Sequence, residues 1–260
     1  MRVWVAGGFL VLVCLAAIFP GVLTPGDPMM VNPDEALAPP GWGHVLGTDA
    51  SGRDVFTRVV YGTGESVGIA LGATGIGVGL ATVLGFASLA GQWVDAVVSR
   101  VVEVLFSLPT LVLALLLVAV MGPGVKAVVI AVGLATAPGY ARIVRTQATG
   151  VASSGYVRAA RADGVGPVRV FLRHILPNTA WPLVSLVTLG LGQAIVWVAG
   201  LSFLGLGALP PSPEWGALLT DGRTYITSAW WLTLAPGLAI MLTALATTVL
   251  GRAGGQRQVG

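Results

Sequence analysis

Few residues of this chain have the type and spacing that chemistry requires. The two histidines, His44 and His174, fall in separate predicted loops, so a histidine-based metal centre is not expected. The only lysine, Lys126, lies in MGPGVKAV and lacks the G-x-x-x-x-G-K-[ST] spacing of a phosphate-binding loop. What remains is the stretch YVRAARADGVGPVRVFLRHILPN (156–178), a basic, amphipathic segment in an otherwise largely apolar chain.

Composition places the chain in a membrane. Of its 260 residues 55% are hydrophobic and 10% charged, with a mean hydropathy of +0.86. A helix needs about 20 mainly apolar residues to cross the hydrocarbon layer. The predicted fold class is therefore an all-α polytopic membrane protein with six transmembrane helices. The predicted spans are Val3–Leu23, Glu65–Ala90, Val101–Met121, Val125–Ile143, Ala180–Leu201 and Trp231–Leu250.

The distribution of charge predicts the orientation. With a cytoplasmic N-terminus and six spans, ten basic side chains fall inside and four outside, while three acids fall inside and eight outside. This bias is typical of cytoplasmic loops, so both termini are expected in the cytoplasm. The charges flank helices and form no single patch, which favours lipid headgroups over nucleic acid as their counterpart.

Loop lengths divide the chain further. We expect a first transmembrane helix (1–23), an outer loop (24–64), a membrane core (65–250) and a short cytoplasmic tail (251–260). The first helix is expected to be retained because no small-x-small cleavage site follows it. Long outer connections cover about 24–64 and 202–230. The one long inside loop, about 144–178, joins the fourth and fifth spans and contains the basic stretch.

This inside loop reads as two short helices. The first is predicted from Tyr156 to Asp163 and ends at Gly164, a residue that readily adopts the left-handed conformation. Pro167 suits the first turn of the second helix, which Pro177 should stop. Its predicted apolar face is Val168, Phe171, Leu172, Ile175 and Leu176. An interfacial helix on the headgroups and a docking element for another protein both fit this pattern.

The residues of this loop resemble the EAA loop of bacterial ABC importer permeases. The family's EAA start reads RAA here (158–160), Gly164 follows four residues after the second alanine, and ILP (175–177) closes the motif. LGTDASGRDVFTRVVYG (46–62), PGYARIVR (138–145) and LSFLGLGALPPSPEWGALLTDGRTYI (201–226) are similar to the branch that serves dipeptide, oligopeptide and nickel importers.

The resemblance implies a transport subunit without catalytic activity of its own. It would lie in the bacterial inner membrane and carry peptides or, alternatively, nickel or another small solute. The expected partners are a second homologous permease, two ATPase subunits and an extracytoplasmic substrate-binding protein. This chain would hold no cofactor or metal, and ATP and Mg would bind to the ATPases. A membrane-embedded enzyme and a stand-alone channel or carrier are the other classes considered, and the spans hold almost none of the polar groups that either would need.

The resemblance also assigns roles to residues. The first loop helix would be a coupling helix that docks on the ATPase, and the outer segments would receive the binding protein. The coupling set is Tyr156, Arg158, Ala159, Ala160, Arg161, Ala162, Asp163, Gly164, Pro167 and Pro177, and the docking set is Asp49, Arg53, Asp54, Trp215, Asp221 and Arg223. Two positions depart from the family: Arg158 replaces the motif's glutamate, and Val198 stands near the place of an acid that usually precedes LSFLGLG.

Overall fold

The computed structural model describes residues 1–256, which are mostly helical. A π-helical turn (Phe171–Ile175) separates two of the α-helices. The α-helices of the described residues are α1 (Arg2–Ile18), α2 (Pro20–Leu23), α3 (Val55–Ala87), α4 (Gln92–Phe106), α5 (Thr110–Met121), α6 (Val125–Ala152), α7 (Gly155–Ala162), α8 (Pro167–Val170), α9 (Leu176–Phe203), α10 (Trp215–Gly222) and α11 (Trp231–Gln256).

Four helical stretches in the described chain are long and apolar enough to cross a membrane. They are Val55–Ala90, Val125–Ala152, Pro182–Phe203 and Trp231–Gly254. The pair α4 and α5 counts as a fifth if a break in the middle is allowed. α1 has 17 residues, fewer than the length usually required. Helix length thus supports four or five crossings, where the sequence predicts six.

The predicted third span, Val101–Met121, is wrong as a single straight helix. α4 begins earlier, at Gln92, and the chain breaks at 107–109 before α5 begins. The two helices meet at 90°. Pro109 causes part of this break, because it lacks an N–H and disfavours a helical residue before it. A bidentate ion pair joins α4 to α6, in which Arg145 Nε and Nη2 donate to the Asp95 carboxylate at 2.6 and 2.7 Å.

The central helix of the bundle is α3, which packs along α6 and α9, while α9 also packs on α11. Small residues allow the closest approach. A Cβ added at Gly77 on α3 would stand 2.8 Å from Thr136 Oγ1 and 3.1 Å from the Gly133 carbonyl oxygen on α6. Close backbone contact of this kind stabilises helix pairs in lipid, where the hydrophobic effect between helices is absent.

The segment between α2 and α3 folds back onto the ends of α3 and α11. Thr24 and Thr57 share a buried hydroxyl–hydroxyl bond of 2.8 Å, and Trp231 Nε1 donates to the Thr48 carbonyl at 3.1 Å. α1 packs against α3 and α11. At the other end of the chain α11 continues through the start of the predicted tail, and residues 257–260 of that tail lie outside the described residues.

Candidate functional site

The first helix of the basic stretch, α7, has a defined stop. Gly164 adopts a φ of +80°, and its N–H donates to the Arg161 carbonyl at 3.1 Å. The Val165 N–H donates to the Ala160 carbonyl, also at 3.1 Å. This pair of bonds is a Schellman motif, which satisfies carbonyls left free at a helix end. The structure therefore confirms that the helix ends at Gly164 as the sequence predicts.

A small apolar cluster, which we call the anchor cluster, holds α7 to the bundle. It was not predicted from the sequence. Its members are Val157, Val170 and Ile175, which are 0%, 1% and 3% exposed. Phe171 extends the cluster and meets Phe86, near the end of α3, edge to face with ring centroids 5.2 Å apart. Because Val157 is the only fully buried residue of α7, it fixes the orientation of the helix.

The predicted apolar face of the second helix is wrong in part. Val168 and Leu172 are 69% and 54% exposed, whereas the buried residues are Val170 and Ile175. The π-helical turn explains the difference, since it makes residues five apart neighbours on one face. The sequence prediction assumed α-helical spacing through this turn.

Pro177 does not stop a helix, which corrects the sequence prediction. It lies in the first turn of α9, which begins at Leu176 and not at Ala180. Proline is tolerated in a first turn because its missing N–H would have no partner there. Nearby carbonyls of the widened turn are satisfied by side chains instead. Asn178 Nδ2 donates to the His174 carbonyl at 2.7 Å, and Thr179 Oγ1 donates to the Ile175 carbonyl at 2.8 Å.

The remaining surface of α7 is open. Ala160 is half-buried, whereas the other residues of the predicted coupling set are exposed: Tyr156, Arg158, Ala159, Arg161, Ala162, Asp163, Gly164, Pro167 and Pro177. Neither Arg158 nor Arg161 has an ion-pair partner within residues 1–256. Two free guanidinium groups beside small alanine side chains form a surface that suits close approach by an acidic partner.

A second charged region lies at the opposite end of α3. Arg58 is 1% exposed, and it donates to the Asp49 carboxylate and to the carbonyls of Pro211 and Ser212, the last two at 3.0 and 3.3 Å. Arg53 Nε lies 3.9 Å from Asp49. These groups, with Asp221 and Arg223, line a cavity of about 420 Å³. We call Asp49, Arg53, Arg58, Asp221 and Arg223 the acid–arginine cluster.

Of two acids beside this cavity, one is free to contact a partner and the other is already engaged in hydrogen bonds. Asp221 is exposed, and partial burial of its carboxyl raises the pKa above the ordinary aspartate value. Asp54 instead caps α3, accepting the Thr57 N–H at 2.7 Å and the His44 ring at 2.8 Å. The bond to Asp54 is the main reason that the pKa of His44 is raised, and Glu35 at 3.2 Å adds to it. His44 is thus held between Asp54 and Glu35 in the predicted loop.

Trp215 cannot serve as an exposed docking contact, because it is 2% exposed. Its indole N–H donates to the Val59 carbonyl at 2.9 Å, and its backbone N–H donates to Ser66 Oγ at 2.9 Å. The neighbouring Glu214 is also buried and caps α10, accepting the N–H groups of Gly216 and Ala217 at 2.9 Å each. Burial raises the pKa of Glu214 above the usual glutamate range.

Glu214 was missed at the sequence level because it lies among turn-forming residues and resembles a solvated loop acid. Ser66 Oγ on α3 also donates to its carboxylate, at 3.2 Å. Glu214 and Trp215 therefore lock α10 onto α3. Val198, one of the two departures from the family pattern, is 1% exposed within the main apolar core.

The two charged regions are far apart. Arg58 and Phe86 are separated by about 42 Å along α3, at 1.5 Å per residue. A hydrocarbon layer is about 30 Å thick. Since α3 is a candidate span, the acid–arginine cluster and α7 fall on opposite sides of a bilayer that α3 crosses.

Known proteins of similar sequence were found along most of the chain. A family described as "Binding-protein-dependent transport system inner membrane component" matches residues 74–258. The dipeptide transport system permease protein DppC of Alkalihalophilus pseudofirmus is 39% identical over 91% of this chain and 78% of its own length. DppC of Escherichia coli is 38% identical, over 94% and 83%. The di/tripeptide permease DppC of Pseudomonas aeruginosa is 36% identical, over 94% and 82%.

Solved structures agree on the fold. A chain of an amino acid ABC transporter crystallised with histidines superposes with a TM-score of 0.62 at 19% identity, over 78% of this chain and 94% of its own. A chain of the MetNI methionine ABC transporter in an inward-facing conformation gives a TM-score of 0.55 at 20% identity, over 77% and 96%.

Proposed function

This chain belongs to the family of binding-protein-dependent transport system inner membrane components, and on that premise we propose that it is a peptide permease subunit of an ATP-driven importer. The relatives named above carry dipeptides or tripeptides according to their names, which favours peptides over nickel or another small solute. The chain would supply half of the translocation pathway, and a second, homologous permease would supply the other half.

α7 is the proposed contact with the ATPase. Its exposed surface presents Arg158, Ala159, Arg161 and Ala162, and no acid stands at the motif's first position. An acidic rim on the ATPase groove would complement the two arginines, and the alanines would allow close seating. ATP and Mg would bind to the ATPase subunits, in keeping with the lack of a phosphate-binding loop in this sequence.

The joints on either side of α7 support a role in transmitting motion. α6 runs unbroken to Ala152, only two residues separate it from α7, and the π turn passes directly into α9. The anchor cluster ties α7 to the end of α3 through Phe86. A displacement of α7 would therefore reach three long helices through packed side chains.

The opposite end of α3 is the proposed docking surface for the substrate-binding protein. Asp221 and Arg223 are exposed there, and Asp49 and Arg53 line the same cavity. Trp215 and Asp54 are assigned supporting roles instead, because one is buried and the other caps α3. We propose that α1 and α2 together make a sixth crossing, so that, with α7 in the cytoplasm, this cavity faces outward and both termini lie inside, where lipid headgroups meet the flanking arginines.

The observation that carries the proposal is the open, basic and small-residue surface of α7 in a chain of this family. The test is uptake by cells that lack the native transporter and express the complete complex, supplied with labelled dipeptide, tripeptide or nickel. We expect dipeptide uptake. Uptake of nickel alone would contradict the peptide assignment.

A matched pair of variants tests the coupling role. Ala159→Glu adds bulk and negative charge to the exposed surface of α7, and Ala36→Glu makes the same change at an exposed site before α3. We expect Ala159→Glu to lower uptake at least about tenfold, because a buried unpaired charge at a docking surface is costly, and Ala36→Glu to retain uptake. Wild-type uptake in Ala159→Glu would count against the assignment.

A further inference from the structure

A concavity of about 650 Å³ opens at the break between α4 and α5. Its size falls within the roughly 300–1,000 Å³ typical of small-molecule sites. α6 and α9 complete its wall, so that three membrane segments contribute. Its lining includes Phe106, Tyr140, Gln193 and Trp197.

Gln193 is the most informative of these residues. It is exposed and lies at the middle of the apolar stretch Pro182–Phe203, about 16 Å from either end at 1.5 Å per residue. Tyr140 donates its hydroxyl to the Gln193 Oε1 at 3.2 Å, which leaves Nε2 with no hydrogen-bond partner among residues 1–256. The carboxamide is thus oriented by one bond and has two free N–H donors.

Two glycines make room for this arrangement. A Cβ at Gly190 would stand 3.0 Å from the Tyr140 hydroxyl oxygen, and a Cβ at Gly139 would stand 3.3 Å from the Phe106 ring. A side chain at either glycine would therefore press on the ring opposite. Tyr140 itself is only 6% exposed, so the group that orients Gln193 is held by packing.

The depth of the concavity bears on its role. Inside the hydrocarbon layer an unpaired polar group costs free energy, and such groups mark pathways or contacts between helices. A flat contact with another helix would bury the carboxamide against an equally flat surface. Here the carboxamide borders a space large enough for a small peptide, which favours a ligand over a helix.

We propose that this concavity is where the subunit contacts the main chain of the transported peptide, with Gln193 Nε2 donating to a peptide carbonyl. The inference rests on the proposed function and adds the contact residue. Trp197 and the exposed Phe106 ring supply apolar walls that accept varied side chains, while the amide bond common to all peptides meets the carboxamide. Main-chain recognition would let one site accept peptides of different sequence.

The first experiment measures peptides moved per ATP hydrolysed by the complete complex in proteoliposomes, at saturating binding protein. Gln193→Leu keeps the side-chain size and removes both donors, while Thr188→Val changes a polar residue of α9 outside the concavity. We expect Gln193→Leu to lower the ratio of peptides to ATP about three- to tenfold. Peptide held by one neutral hydrogen bond fewer should leave the site more often by about that factor before ATP is hydrolysed. We expect Thr188→Val to leave the ratio within about twofold.

The outcomes separate the two proposals. An unchanged ratio in Gln193→Leu, with peptide transport intact, would overturn this inference and leave the peptide permease assignment standing. Failure of Gln193→Leu to assemble with the second permease would also overturn it, since Gln193 would then be a subunit contact. Transport of nickel but no peptide by the wild type would overturn the proposed function and this inference with it.

A second experiment tests whether water reaches the concavity. The only cysteine, Cys14, is replaced by serine, and single cysteines are placed at Gln193 and at Val187, an exposed residue of α9 on another face. A charged, membrane-impermeant thiol reagent should label Gln193→Cys and not Val187→Cys, because only the first borders an aqueous path. Saturating dipeptide should reduce the labelling. Equal labelling at both sites, or labelling insensitive to peptide, would overturn the inference.

Discussion

Replacing Val157 by alanine is expected to loosen α7 without unfolding the membrane bundle. Val157 is 0% exposed, and the buried members it packs with, Val170 and Ile175, lie in the same loop region. The substitution removes two buried carbons, at about 0.8 kcal/mol each. The loss is therefore about 1.6 kcal/mol, and it grows if the neighbours do not close the cavity.

This free energy converts into a measurable exchange rate. At 1.4 kcal/mol per factor of ten, a loss of about 1.6 kcal/mol raises the population of the detached α7 roughly 15-fold. Hydrogen–deuterium exchange of the amides of Asp163 and Val165, which bond back to the carbonyls of Ala159 and Ala160, should accelerate by that factor. Amides of α3 should be unaffected.

Val168→Ala is the matched control, because Val168 is the same residue type in the same loop and is 69% exposed. It should leave exchange in α7 unchanged. In the assembled transporter, Val157→Ala should also lower the amount of peptide moved per ATP, since a detached helix transmits less motion. Unchanged exchange in Val157→Ala, or an equal increase in Val168→Ala, would refute the anchoring role.

Two further predictions concern the end of the molecule opposite α7. Glu214→Ala should destabilise the α10–α3 contact by roughly 2–4 kcal/mol, because the buried N–H groups of Gly216 and Ala217 lose their acceptor. Thermal unfolding of the purified complex measures this loss, and Glu214→Gln should lower the unfolding midpoint less because it keeps one acceptor. An unchanged midpoint in Glu214→Ala would contradict the prediction. Because the pKa of His44 is raised, its bonds to Asp54 and Glu35 contribute their full stability below the ordinary histidine value of about 6.5 and weaken as pH rises through the raised value. After division by the intrinsic exchange rate at each pH, amide protection in the 35–54 segment should therefore be greater at pH 5.5 than at pH 8. An equal pH dependence of protection in His44→Gln would contradict this.

The features of the fold that depend on local sequence followed well from the sequence. Apolar runs located the long helices, because a helix in hydrocarbon must bond its own backbone and show an unbroken apolar surface. Gly164 ended α7 because positive φ is a local property of that residue. Both predictions depend only on neighbouring residues.

The errors arose where helix geometry or burial is not determined by neighbouring residues. Pro177 and the apolar stripe around Leu172 were read with α-helical spacing, and nothing local indicates that a π turn intervenes. Trp215 and Glu214 lie in a stretch rich in proline and glycine, which predicts an exposed loop. They are buried because α10 turns back against α3, a contact between residues nearly 150 positions apart.

The π turn has a consequence for the evolution of chain length. Such a turn holds one residue more than an α-helical turn, so deletion of one residue between Phe171 and Ile175 would yield an ordinary helix. Val170 and the shifted isoleucine would then be four apart and would still share a face. A deletion inside α7 would instead rotate its arginines away from their present direction. Shorter homologues that still transport should carry their gap at the π turn.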